Sequence, residues 1–131
     1  EVTLLTYGAQ VPIALAAAEA AASEGISIEV IDLRSISPVD YATVEASVRK
    51  TGRVVVTHEA AREGGVGAEI VAEVTSRCFN YLESAPVRVT GHDTPYPPAK
   101  LERHHLPDLD RILDGVDRAL DRPNSLTGVT L

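Results

Sequence analysis

A chain of 131 residues fits one domain with a single sizeable core, and its 44% hydrophobic and 24% charged residues are those of a soluble globular protein. A net charge of −7 argues against nucleic acid or an anionic membrane as partner and leaves room for a basic protein. No apolar run reaches the roughly 18–20 residues of a membrane helix, because Glu19 interrupts the alanine-rich stretch Ile13–Ala22.

The chain opens on Glu-Val-Thr, without methionine or the basic and apolar regions of a signal peptide, and enters a strand-like run at once. This reads as a piece of a longer protein. Val2–Tyr7 is the first of four short β-branched runs, each of strand length. Pro12–Ser23 follows, alanine-rich, with proline near its start and Gly25 beyond its end, the asymmetry expected of a helix. Ile26–Ile31 is a second strand. Ser37-Pro38-Val39-Asp40 then leads into a helix over Tyr41–Lys50, where Val44 and Val48 stand four apart and Gly52 supplies the stop. Val54–Thr57 is the third strand. Gly67 opens a helix over Ala68–Arg77, whose stripe is Ile70, Val71, Val74 and Cys78. Cys78, the single cysteine, has no partner for an internal disulfide and reads as a reduced, buried thiol, which fits a cytoplasmic protein.

Val87–Thr90 is the fourth strand. The stretch Gly91–His105 that follows is expected to be a long loop, because the prolines of Asp93-Thr94-Pro95-Tyr96-Pro97-Pro98 remove donors and restrict their predecessors. A loop of this length is usually functional or packed on something. Pro107–Leu120 closes the pattern as a helix with Leu109, Ile112, Leu113, Val116 and Leu120 on one face. Arg122–Leu131 lacks periodicity, so the domain is expected to end at residue 121, with 122–131 a flexible or partner-bound tail. Strands alternating with helices of this length predict an α/β three-layer sandwich: a mostly parallel open sheet with helices on both faces.

Several local patterns invite a chemical reading. Gly64-Gly65-Val66-Gly67, between a strand and a helix, has the setting of a phosphate cradle. It matches neither G-x-G-x-x-G nor G-x-x-x-x-G-K-[ST], and Glu59, Glu63 and Glu69 around it would repel phosphate. A tight turn that lets a helix pack close to the sheet or a neighbouring subunit is preferred. His58-Glu59 sits where parallel sheets place ligands and could form an acid–base pair. Adjacent strand residues point apart, however, so a structural pair lining an interface is preferred. His104-His105 and His92-Asp93 lack metal-ligand spacing, and no metal site is expected. Glu83, Asp108, Asp110, Asp114, Asp117 and Asp121 read mainly as a solvated face, with Asp108 and Asp110 favoured near a helix start and Arg111 and Arg118 available for intrahelical pairs.

Four segments in order resemble one family. They are Leu4-Leu5-Thr6-Tyr7-Gly8; Glu29-Val30-Ile31-Asp32-Leu33-Arg34-Ser35-Ile36-Ser37-Pro38; Thr51 to Ala60 with Gly64 to Ile70; and Arg88-Val89-Thr90-Gly91-His92-Asp93-Thr94-Pro95-Tyr96-Pro97. Together they are similar to the transketolase C-terminal domain, as found in beta subunits of pyruvate and branched-chain 2-oxo acid dehydrogenases, over Val2 to about Leu120.

The resemblance implies an enzyme of two alpha and two beta subunits, with thiamine diphosphate and magnesium held between alpha and the N-terminal domain of beta. That enzyme oxidatively decarboxylates a 2-oxo acid and acylates a lipoyl group. It implies no catalytic, cofactor-binding or metal-binding residue in this chain, which is expected to be inactive alone. It implies instead pairing with a second beta subunit through His58, Glu59, Gly64, Gly65, Gly67, Asp93, Thr94, Pro95, Tyr96 and Pro97, so that the isolated chain is expected to form a homodimer. Docking of the acyltransferase's basic subunit-binding domain is expected at Glu83, Asp108 and Asp110. Other readings are the C-terminal domain of another thiamine-diphosphate enzyme such as transketolase, and a stand-alone small-molecule-binding regulatory module. Which 2-oxo acid is used lies outside these residues.

Overall fold

The computed structural model describes residues 1–121, so the expected tail at 122–131 lies outside the described residues. Four strands, β1 (Val2–Thr6), β2 (Ile28–Asp32), β3 (Val54–Ala61) and β4 (Val87–Gly91), form one sheet in the order β2-β1-β3-β4. Every pairing is parallel, so the sheet is parallel throughout rather than mostly so. Parallel neighbours require crossovers, and these are made by α1 (Val11–Ser23), α2 (Tyr41–Thr51) and α3 (Val66–Cys78). A short helix, α4 (Glu102–His105), and then α5 (Leu109–Ala119) follow β4. None of the described helices is long and apolar enough to cross a membrane.

The strand period of two divides the core. Val2, Leu4, Val55 and Val89 face α1 and α5 with Ala14, Ala17, Ala21, Ile112 and Val116. Leu5, Val54 and Val56 face α2 and α3 with Val44, Val48, Ile70, Val74 and Cys78. These are the expected three layers. The alanines of α1 let that helix lie close on the sheet, and each fully buried valine or leucine is worth about 1.5–3 kcal/mol. Helix ends follow from single residues: Asp40 Oδ1 accepts from Thr43 N at 3.1 Å, Asp108 Oδ1 accepts from Arg111 N at 2.9 Å, and Gly52 closes α2 at φ +70°.

Three expectations shift. β2 starts two residues late, because Ile26 packs into the core ahead of the ladder. β3 runs four residues past Thr57, so His58-Glu59 lies inside a strand rather than after it. The stretch 91–105 carries a 3₁₀ turn at Ala99–Leu101 and α4, and only its proline-rich part is irregular.

Candidate interaction surface

The chain order reverses between β1 and β3, and their carboxyl ends are where a parallel sheet opens its crevice. The crevice is filled from within. His58, fully buried, projects from β3 toward the start of α3, where Gly67 N–H donates to its Nε2 at 3.1 Å. Nε2 must then be unprotonated, so Nδ1 carries the hydrogen and donates it to Ala60 O at 3.1 Å. Burial pushes the imidazole pKa down, and the charge of Arg88 adds to this, outweighing the carbonyl of Ala60. A neutral ring with both nitrogens engaged and no exposure has no role as an acid or base. Glu59 is exposed. Of the expected interface pair, only Glu59 therefore reaches the surface of the chain.

The ring also explains the glycines. A Cβ on Gly67 would lie 2.5 Å from His58 Nε2, and one on Gly65 would lie 2.3 Å from Ala61 O. The close approach inferred from the sequence is thus made to a histidine of the same chain. Because Gly67 N–H is spent on His58, the turn lacks one of the donors a phosphate cradle needs.

Gly91, at the end of β4, repeats the device. Its missing Cβ leaves room for Glu59 O at 2.3 Å and His105 Nε2 at 2.8 Å. The segment after it is held at four points. Glu63 N–H donates to Asp93 Oδ1 at 2.8 Å, tying the loop to the glycine turn. The buried ring of His105 meets His92 edge-on at 5.9 Å and Tyr96 at 5.2 Å between centroids. The Tyr96 hydroxyl donates to the Glu102 carboxylate, which raises the phenol pKa well above its ordinary value. Arg111, in α5, donates to the carbonyls of His105 and Thr90 rather than pairing with Asp114 as its spacing allows. Tyr96 nevertheless remains 58% exposed and Leu101 54%. The loop is thus buttressed from within the chain while it presents apolar side chains outward.

A second exposed patch lies at the 3₁₀ turn Phe79–Tyr81, where Phe79 is 71% and Tyr81 47% exposed. Glu83 N–H donates to Gly52 O at 2.8 Å, Arg53 pairs with Glu83 at 2.5 Å, and the Arg49 guanidinium stands over the Tyr81 ring at 4.9 Å. Glu83 is thereby adjacent to two displayed aromatics. Ser84 bonds to Ala119 O, at the far end of α5 from Asp108, so Glu83 and Asp108 are separated by the length of that helix, roughly 16 Å. Asp108 is occupied as the α5 cap, whereas Asp110 lines a groove with Glu24 and Asp117. The three acids expected at one contact do not converge. Arg118 does make an expected pair, with Asp114 at 3.1 Å.

The profile for "Transketolase, C-terminal domain" matches residues 1–112. The chain belongs to that family. It is 54% identical over 120 residues to the pyruvate dehydrogenase E1 component subunit beta of Leifsonia xyli, covering 92% of this chain and 36% of that protein. It is 48% identical over 124 residues to the 3-methyl-2-oxobutanoate dehydrogenase subunit beta of Mycobacterium tuberculosis, again 36% of that protein. This transketolase C-terminal domain therefore spans about a third of the length of its curated relatives. Among solved structures, a split gene transketolase described as an inactive beta4 tetramer superposes with TM-score 0.78 at 30% identity, over 92% of this chain and 38% of that one. A 2-oxoglutarate:ferredoxin oxidoreductase from Magnetococcus marinus, 14% identical with TM-score 0.59, shares the fold alone.

His105, Gly91, Arg111 and the Phe79–Tyr81 turn had no functional reading in the sequence. Gly91 directly after a strand was the available signal, since a glycine there marks a close backbone approach. The other three depend on contacts between segments distant in the chain.

Proposed function

We propose that this chain is the C-terminal association domain of a 2-oxo acid dehydrogenase beta subunit, non-catalytic in itself. The observation that carries the reading is its 54% and 48% identity to beta subunits of pyruvate and 3-methyl-2-oxobutanoate dehydrogenases, over nearly the whole chain. Identity at that level to both leaves pyruvate or a branched-chain 2-oxo acid as substrate.

In the whole enzyme thiamine diphosphate with magnesium would supply the chemistry of decarboxylation. The residues here do not fit that group. Among the described residues no three His, Cys, Asp or Glu side chains are grouped to hold a metal ion, and the glycine turn spends its Gly67 donor on His58. The cofactor is therefore assigned to the alpha subunit and the N-terminal part of beta.

Pairing with a second beta subunit is assigned to the buttressed segment Asp93, Thr94, Pro95, Tyr96 and Pro97 and to the adjoining turn of Glu59, Gly64, Gly65 and Gly67, with His58 holding the turn from beneath. The inactive beta4 tetramer of the structurally similar split gene transketolase supports self-association. Docking of the acyltransferase's basic subunit-binding domain is assigned to Glu83 with Phe79 and Tyr81. Tyr81, held under the Arg49 guanidinium, and the exposed Phe79 are the aromatic type that interface centres favour, and Glu83 would lie at their polar rim. Asp110 and Asp108, at the other end of α5, are a second, more distant contact.

Calorimetry tests both parts. Thiamine diphosphate with magnesium should bind at micromolar concentration, and 2-oxo acid should be decarboxylated, only when a complete beta subunit is mixed with alpha; turnover by this chain alone would sink the reading. Replacing Phe79 and Tyr81 together by Ala in the assembled enzyme should weaken binding of the subunit-binding domain about tenfold while leaving decarboxylation unchanged. Unchanged affinity would move the docking site elsewhere.

A further inference from the structure

The arginines of this acidic chain are not evenly placed. Arg34, Arg49, Arg53, Arg77 and Arg118 each face a carboxylate. Arg62, Arg88, Arg103 and Arg111 form no ion pair among the described residues, and all but Arg103 line one cavity of about 260 Å³ beside β4, together with Arg118. Their heads are fixed without being neutralised. Arg62 donates to Arg88 O at 3.4 Å and Arg88 to Arg62 O at 2.9 Å, while Arg111 holds the carbonyls of His105 and Thr90. A guanidinium has five N–H groups, so each keeps donors for a ligand. Asp93 and Asp114 also line the cavity. Asp93 is bonded to Glu63 N–H and Asp114 faces Arg118. Four cationic and two anionic side chains leave two positive charges in the cavity, on a chain whose net charge is −7.

We propose that this cavity binds a small dianionic oxyanion of the phosphate class, with Arg62 and Arg88 on one side and Arg111 on the other. Planar guanidinium forks fixed in advance suit tetrahedral or planar oxyanions, and little side-chain entropy is lost on binding because the heads are already held. The charge balance selects a dianion over a monoanion. A cavity of about 400 Å³ alongside shares Arg62, Arg88 and Arg118, giving room for an organic group attached to the phosphate. The cavity adjoins the surface assigned to association and shares Asp93 with it.

The test is titration of inorganic phosphate into the 131-residue chain at constant ionic strength, followed by calorimetry and by backbone amide shifts, with acetate in parallel. Saturable one-to-one binding is expected, with the largest shifts at Thr90 and Gly91 and acetate much weaker. Arg62→Gln and Arg88→Gln should each weaken binding at least about fivefold, the scale of one partly exposed charge-assisted hydrogen bond. Lys50→Gln, across the sheet and paired with Glu29, should change nothing. Arg118→Gln, at an exposed position, gives a third variant should either of the first two unfold. A phosphomonoester that binds more tightly than phosphate places its organic group in the adjoining cavity; one that binds more weakly assigns the site to free phosphate. No saturation at millimolar phosphate, equal binding of acetate, or equal weakening by Lys50→Gln overturns the proposal.

Discussion

Gly67→Ala is expected to destabilise the chain by about 3 kcal/mol, lowering the melting temperature by about 10 °C. Helix propensity alone argues the other way, since alanine in place of glycine near the start of α3 is worth about 1 kcal/mol. The clash wins because nothing can yield. The new Cβ would sit 2.5 Å from His58 Nε2 and 2.9 Å from its Cδ2, in a ring that is fully buried and bonded at both nitrogens. Moving the ring breaks the Gly67 hydrogen bond and leaves buried polar groups unpaired, at about 1–3 kcal/mol, in addition to overpacking of similar size. The check is thermal unfolding of Gly67→Ala in two backgrounds. With His58→Ala beneath it, the same substitution should be neutral or stabilising. Equal destabilisation in both would mean that the ring is not the obstacle.

The same histidine sets a pH dependence. In the folded chain its pKa is depressed by burial, whereas the unfolded side chain titrates near the ordinary value of about 6.5. Between the folded value and about 6.5 the unfolded state binds the extra proton, so stability rises with pH across that window and is lost as pH falls below about 6.5. The slope contributed by this one group approaches about 1.4 kcal/mol per pH unit inside the window. Denaturant unfolding at a series of pH values should show it, and His58→Gln, which keeps a donor and an acceptor but does not titrate, should flatten it. A slope that survives in His58→Gln would assign the acid sensitivity to other groups.

Periodicity made the layers legible. The stripe of Ile70, Val74 and Cys78 lies buried on one sheet face, and Ile112 and Val116 on the other, as their spacing requires. The end of β3 was not legible, because His58 and Glu59 carry no strand signature and lie in an irregularity of the β3–β4 ladder, between the Thr57–Val89 and Ala61–Gly91 pairs. The glycine turn was read as a point where a helix packs close to the sheet, and it does meet β3; which residue it meets was not legible, since a histidine nine positions back in sequence gives no sign of where its ring will turn. The loop after β4 was expected to be functional or packed on something; that it is clasped by His105, Glu63 and Arg111 depends on contacts between segments far apart in the chain. Charge was the least legible property. Net acidity suggested a basic partner and concealed an arginine cavity, because composition averages over a surface that the fold sorts by place.

The association reading stands most directly on sedimentation equilibrium of this chain across the micromolar range. Pairing through a surface of ordinary interface size, about 1,600 Å², predicts a monomer–dimer equilibrium in that range. Tyr96→Asp, which places a charge on the exposed loop and removes its ring contact with His105 and its bond to Glu102, should shift it to monomer, and the melting temperature of the monomer measured alongside separates lost pairing from lost anchoring of the loop. A chain that remains monomeric throughout, or a dimer indifferent to Tyr96→Asp, would contradict the assignment of this loop to subunit pairing.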